Sequence, residues 1–265
     1  MNPRRLAEFG LYPRWRARAA VADTSHPVDE REPEGFPVDA PVPVEAESPA
    51  ARSESVPAAP TNSDIGGRSA SISLMDWAAL EADIVGCRAC ALHRGRRQAV
   101  PGVGDRDAAW LFVGEGPGAE EDAKGEPFVG QAGRLLDNML KSVGLARGVD
   151  VYIANVVKCR PPQNRTPTTE ESTTCGPYLH RQIALIRPAL IVALGKTAAS
   201  FLLETDASMA ALRGRQHRYR GIPVIVTYHP AYLLRKPLDK ARVWDDLCLA
   251  RETHAGLQKP GGDPI

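Results

Sequence analysis

Four short apolar runs set the frame for this chain: residues 110–113, 151–157, 190–194 and 224–227. Each is unbroken and too short for an amphipathic helix, and reads as a strand buried on both faces. Helical spacing fills the intervals. Leu135, Leu136, Met139, Leu140 and Val143 mark one helix. Leu179, Ile183, Leu185 and Ile186 mark a second, ending before Pro188. Residues 197–203 mark a third just after Gly195, and Val243, Leu247 and Leu249 a last one. Ahead of the first strand, Trp77, Leu80 and Ile84 predict a helix with Ser73 as its cap and Asp76 three residues on. Strands alternating with helices give an α/β fold whose parallel sheet is covered on both faces. Ligands in such a fold bind beyond the C-terminal ends of the strands.

Composition enters where the pattern stops. With 43% hydrophobic and 25% charged residues, the whole chain is neither fibrous nor wholly disordered. Residues 26–66, however, carry eight prolines and nine acids against two bases, with Phe36 the one aromatic. A stretch like this cannot bury enough apolar surface to offset its ordering entropy. The expected organisation is a short basic amphipathic tail over 1–20, a disordered acidic linker over 21–70, the folded domain over 71–256, and a disordered end over 257–265. The net charge of +1 says nothing about partners, but the acidic linker leaves the folded part mildly basic. No apolar run approaches the roughly 18 residues of a membrane span. No apolar segment follows Arg4-Arg5, so a cytoplasmic protein without membrane association is expected.

Four of the five cysteines form a set. Cys87 and Cys90 are separated by two residues, and Cys159 and Cys175 follow after the second strand. In a reducing compartment such a set points to metal ligation rather than disulfides. The wide second pair fits a cluster wedged between two loops better than a zinc ion on two close pairs; zinc, or two unrelated core cysteines, remain the alternatives. Cys248 lies in an apolar helical pattern and reads as core.

The segments after the strands carry the most specific signal. They are Gly114-Glu115-Gly116-Pro117-Gly118, Glu126-Pro127-Phe128-Val129-Gly130, Asn155-Val156-Val157-Lys158-Cys159-Arg160-Pro161-Pro162-Gln163-Asn164-Arg165, and His229-Pro230-Ala231-Tyr232-Leu233-Leu234-Arg235. In this order, and with the cysteine spacing, they resemble the family 4, iron-sulfur uracil-DNA glycosylases over roughly residues 74–255. The resemblance implies a three-layer α/β/α sandwich with a four-stranded parallel sheet. It also implies a structural 4Fe-4S cluster on Cys87, Cys90, Cys159 and Cys175. A sister branch bonds covalently to DNA through a histidine on an inserted loop after the second strand. That insertion and histidine are missing here, so turnover is expected.

The chemistry of base excision gives each motif residue a task. The base must leave the stack before its glycosidic bond can be reached. Phe128 offers a face for it to stack on. Asn155 presents one donor and one acceptor, matching O4 and N3–H of uracil, whereas cytosine reverses both groups. His229, as a neutral imidazole, can donate to uracil O2 as charge develops there. The resemblance implies that backbone groups of Glu115 and Gly116 face the base. Gly116 stands where better-known uracil glycosylases have a water-orienting aspartate, so Glu121 is the best remaining carboxylate for that task. A first-turn helix acid is its other reading. Phe128, Asn155, Glu115 and Gly116 are thus the expected substrate-binding residues, and His229 and Glu121 the catalytic ones.

Contacts to DNA should be mostly electrostatic. Arg97, Arg160, Arg165 and Arg235 are the expected contributors, with Arg94, Arg96, Arg213, Arg215, Arg218 and Arg220 in further basic clusters. Leu233 and Leu234 are the candidate wedges for the gap left by the extruded base. No lysine occupies a strand-end pocket position, so a monofunctional hydrolase acting as a monomer on uracil-containing DNA is expected. The alternatives are excision of hypoxanthine or xanthine, or a non-catalytic cluster-bearing DNA-binding protein. The tail around Leu11 and Trp15 resembles the N-terminal peptide of the clamp-loader psi subunit, which implies a replication partner, with Trp15 as anchor.

Overall fold

The computed structural model describes residues 62–257, with side chains from residue 67 onward. The tail over 1–20 lies outside the described residues, as do the linker through residue 61 and the segment 258–265. Helix α1 (Asn62–Ser73) begins ahead of the expected domain start at 71. It belongs to the fold, because Ile72 is buried and Arg68 donates to the Thr174 carbonyl at 2.6 Å. Helix α2 (Trp77–Gly86) follows, and its cap is Asp76 rather than Ser73. The Asp76 carboxylate accepts the Ala79 N–H at 2.9 Å, while the Ser73 hydroxyl donates to the Ala70 carbonyl at the end of α1.

The four apolar runs form strands: β2 (Trp110–Gly114), β3 (Val151–Asn155), β4 (Leu190–Leu194) and β6 (Ile222–Thr227). They are mutually parallel and ordered β3-β2-β4-β6. Two antiparallel strands extend the sheet to six, β1 (Val103–Gly104) beside β3 and β5 (Gln216–Tyr219) beside β6. The expected four-stranded sheet is therefore the parallel centre of a mixed one. The edge strands escaped the sequence pattern for separate reasons. β1 is two residues long and half glycine. β5 reads Gln-His-Arg-Tyr, and only its last residue is buried.

Every residue of β2, β3 and β4 is buried, as expected of strands covered twice. Side chains alternate between two cores. Leu111, Val113, Tyr152, Ala154, Ile191, Ala193, Val224 and Val226 face one side. There they meet Leu80 and Ile84, Leu179 and Ile183 of α5 (Thr169–Ile186), and Ala198 and Leu202 of α6 (Lys196–Leu203). Trp110, Phe112, Val151, Ile153, Leu190, Val192 and Ile225 face the other. There they meet Leu136 and Met139 of α4 (Gln131–Ser142), Leu233 of α8 (Pro230–Arg235), and Val243 and Leu247 of α9 (Lys240–Leu257). The short helix α3 (Ala119–Lys124) follows β2, and the short helix α7 (Met209–Leu212) follows α6. The result is the three-layer α/β/α arrangement, with Gly114, Asn155 and the turn after Thr227 at one rim of the sheet.

Candidate active site

A cavity of about 370 Å³ opens at that rim. Its lining includes Glu115, Gly116, Glu121, Phe128, Asn155, Arg165, His229 and Arg235, eight of the residues singled out from sequence. Arg97, Arg160, Leu233 and Leu234 do not line it.

Asn155 ends β3, is 2% exposed, and turns its amide toward the cavity lining. Among the described residues the amide has no hydrogen-bond partner, and it stays open to the cavity, where the polar edge of a ligand could pair with it. Its Oδ1 and the edge of the Phe128 ring converge on Gly114. A methyl group there would lie 2.5 Å from Phe128 Cζ and would collide with the amide oxygen as well. Gly114 is thus glycine for space and not for backbone conformation. Gly116 is tight for a similar reason, since a Cβ would lie 2.6 Å from Val157 Cγ2.

Phe128 has φ of 56°, a left-handed conformation that is unusual for a bulky residue. Two opposite charges hold this strained backbone. The Glu121 carboxylate accepts N–H groups from Gly118 (3.1 Å), Val129 (3.0 Å) and Gly130 (3.2 Å). The Arg147 guanidinium donates to the carbonyls of Pro127 (2.9 Å) and Phe128 (2.8 Å), and is itself held by Asp137. Glu121 therefore both lines the cavity and anchors the Phe128 loop, which matches its other reading as a helix-start acid. Glu115 is also committed, its carboxylate accepting the Thr197 hydroxyl at 2.7 Å.

His229 caps α8. Its Nδ1 accepts the Ala231 N–H at 3.1 Å, so the neutral ring carries its proton on Nε2. Its ring lies 5.4 Å from that of Phe128, centroid to centroid. The imidazole keeps some surface toward the cavity but is surrounded by protein rather than bulk water. Burial, helped by the positive charge of Arg235 and opposed by Glu121, pushes its pKa down to about 4. It is therefore neutral at physiological pH.

The basic residues divide. Arg165 lines the cavity and makes a two-pronged pair with Glu171 at 2.7 and 2.8 Å, which holds that carboxyl below its usual range. Arg160 Nε donates to Asn164 Oδ1 at 2.8 Å, and Asn164 lines the cavity. Arg97 is exposed outside it, with its backbone N–H on the buried Asp122 carboxylate. Leu233 is fully buried in the core beneath α8, which removes it as a wedge; Leu234 is 44% exposed. The pair divides because successive helical residues point about 100° apart, so one faces the core while the next reaches solvent.

Cys87, Cys90, Cys159 and Cys175 line one small cavity elsewhere. Positive charge and N–H groups face their sulfurs: Arg96 Nη1 lies 2.8 Å from Cys159, Arg68 Nη2 3.6 Å from Cys87, and the Lys158 N–H 3.3 Å from Cys175. Among the described residues no three such side chains converge on a point as around a single ion. The thiols instead ring a void. As free thiols Cys90, Cys159 and Cys175 are pushed upward by burial, Cys175 to about 12, so a metal would have to displace their protons. Lys158 went unrecognised in the sequence. Its buried ammonium donates to the Asn155 carbonyl and to Gln182 Oε1, both at 2.7 Å, joining the cysteine region to the strand end that carries the amide.

Fold and cavity together define an α/β/α protein with an open site at the C-terminal rim of the parallel centre of its sheet. The model of the uracil DNA glycosylase superfamily matches residues 101–248. The type-4 uracil-DNA glycosylase of Archaeoglobus fulgidus is 48% identical over 163 residues, covering 58% of this chain and 81% of the relative. The type-4 enzyme of Thermotoga maritima is 51% identical over 158 residues (59% and 82%), and that of Pyrobaculum aerophilum 45% identical over 183 residues (66% and 93%). The chain belongs to the uracil DNA glycosylase superfamily and is a DNA glycosylase.

Proposed function

We propose that this glycosylase removes uracil from DNA by hydrolysing the N-glycosidic bond, leaving an abasic site for base-excision repair. The observation that carries the reading is the unpartnered amide of Asn155, open to one cavity beside the Phe128 ring and the Nε2–H of a neutral His229. The extruded base stacks on Phe128. The Asn155 amide donates to O4 and accepts from N3–H; cytosine would leave both contacts mispaired, a strong penalty in a buried site. As the bond breaks, negative charge grows on the base. His229 meets it at O2 with a donor already in place, and one such donor is worth about 2.7–4 kcal/mol of barrier. Because the imidazole is neutral, it stabilises this charge without having to give up its proton.

Both cavity carboxylates are occupied, Glu121 by three N–H groups and Glu115 by Thr197. This supports a dissociative path in which the leaving base departs before water attacks, and little help from a base is needed. Arg165, Arg235 and Leu234 at or near the rim, with Arg97 and Arg160 further out, serve as the contacts to the DNA strands. Lys158 is buried and outside the cavity, in keeping with hydrolysis rather than lyase chemistry.

The four cysteines suit a 4Fe-4S cluster. Four thiol donors ring one void, and two guanidinium groups with a backbone N–H offset the charge of cluster-bound sulfurs. Such a cluster supplies a structural tie among α2, the loop after β3 and α5. The remaining readings rest on sequence: a cytoplasmic monomer, tethered to replication machinery by the residues around Trp15. Among the described residues no helix is long and apolar enough to cross a membrane.

The test is release of free base from oligonucleotides containing uracil, thymine, cytosine, hypoxanthine or xanthine. Uracil released well ahead of the others supports the reading; faster release of either purine would replace it.

A further inference from the structure

We propose that Arg147, held by Asp137, is a positioning residue that fixes the angle of the Phe128 ring over the cavity. The proposal rests on the base-stacking role assigned to Phe128 above. Arg147 sits in the turn after α4, nineteen residues from Phe128 and outside the cavity lining. Its guanidinium nonetheless makes four hydrogen bonds around the cavity's aromatic shelf. Nη1 takes the Pro127 carbonyl, Nη2 the Phe128 carbonyl, and Nε and Nη2 both rest on Asp137 Oδ1 at 3.1 and 3.0 Å. A planar fork with fixed donor directions can join two successive carbonyls to one carboxylate; a lysine ammonium cannot do so in the same geometry.

The backbone that it holds needs holding. A phenylalanine at φ 56° occupies a sparsely populated region, and such strain persists only where the surroundings enforce it. The enforcement comes from two sides: Arg147 draws on the two carbonyls and Glu121 on the two N–H groups that follow, while the missing side chain of Gly133 lets the Phe128 carbonyl lie where a Cβ would collide. If the cation is lost, the carbonyls are free to rotate and the ring tilts away from His229 and Gly114.

The test uses the full chain in four forms: wild type, Arg147→Gln, Phe128→Leu, and the double variant. In single-turnover uracil release, Arg147→Gln is expected to lose roughly tenfold to a hundredfold, the scale of a small misplacement near the reacting atoms. In the Phe128→Leu background the same change should cost less than about twofold, because Arg147 acts through the ring. Equal losses in both backgrounds, or no loss in the first, would overturn the proposal. Should Arg147→Gln fold poorly, Asp137→Asn leaves both carbonyl contacts possible and should show a smaller loss that also vanishes without Phe128. A second readout needs no substrate. The imidazole NMR signals of His229, within ring-current range of Phe128, should shift in Arg147→Gln. Unchanged signals would refute the clamp even if wild type released no uracil.

Discussion

His229 Nδ1 accepts the Ala231 N–H at 3.1 Å, and this single bond decides which face of the imidazole can act. The proton is left on Nε2, on the ring edge away from the α8 backbone. Burial then keeps the ring neutral far below the usual histidine range.

The first consequence is a pH profile. A histidine whose folded pKa is lowered to about 4 binds its proton less readily than in the unfolded chain. Its contribution to stability is full above the unfolded value near 6.5 and is lost as pH falls toward 4. The acid limb of uracil release that His229 sets should therefore lie near pH 4 to 5 and not near 6.5. Nitrogen-15 NMR of the free protein should find Nε2 protonated and Nδ1 bare at neutral pH; a doubly protonated ring at pH 6 would contradict the assignment.

Gly114→Ala tests the meeting of Asn155 and Phe128. The added methyl displaces the amide, the ring, or both, while the strand around it is otherwise undisturbed. Uracil release should fall by about a hundredfold, the cost of a misplacement on the order of 1 Å. The circular dichroism spectrum should not change.

Glu121→Gln separates anchor from base. An amide cannot accept at both of its ends, so at least one N–H of Gly118, Val129 or Gly130 loses its partner. Activity and thermal midpoint should drop together. A fall in turnover with an unchanged midpoint would mark Glu121 as a water-activating group.

Leu233 and Leu234 should part company on mutation to alanine. Leu233→Ala opens a cavity in a core position and should cost about 2–5 kcal/mol of stability. Leu234→Ala should leave stability nearly unchanged and slow uracil release from duplex DNA more than from single strands, where no gap needs filling. Equal effects on both substrates would remove Leu234 as a wedge.

The cysteine cage predicts colour and stoichiometry. Purified protein should be brown and carry about four irons per chain. Cys175→Ala should lose the iron and melt at a lower temperature. Colourless protein with one zinc would refute the cluster.

Much of this was legible in the chain because it is local. A run such as Leu-Ile-Val-Ala-Leu can only be a buried strand, and His229-Pro230 or Phe128-Val129-Gly130 sit at fixed offsets from such runs. What escaped was long-range or directional. Arg147 and Lys158 look like ordinary basic residues until the fold brings one to the Phe128 carbonyl and buries the other against Asn155. Glu121 reads equally as a helix-start acid or a catalyst, and its three N–H partners were invisible in the sequence. The β5 residues look like a charged loop because an edge strand exposes alternate side chains to water. Leu233 and Leu234 differ only in which side of one helical turn they occupy.

The most direct test of the central claim is single-turnover uracil release by Asn155→Ala, measured beside wild type on the same oligonucleotide. Loss of one buried reading group should cost at least about a hundredfold, with thermal stability retained. Undiminished release by a folded Asn155→Ala protein would show that the base is read elsewhere, and that the cavity at the rim of the sheet is not where uracil is recognised.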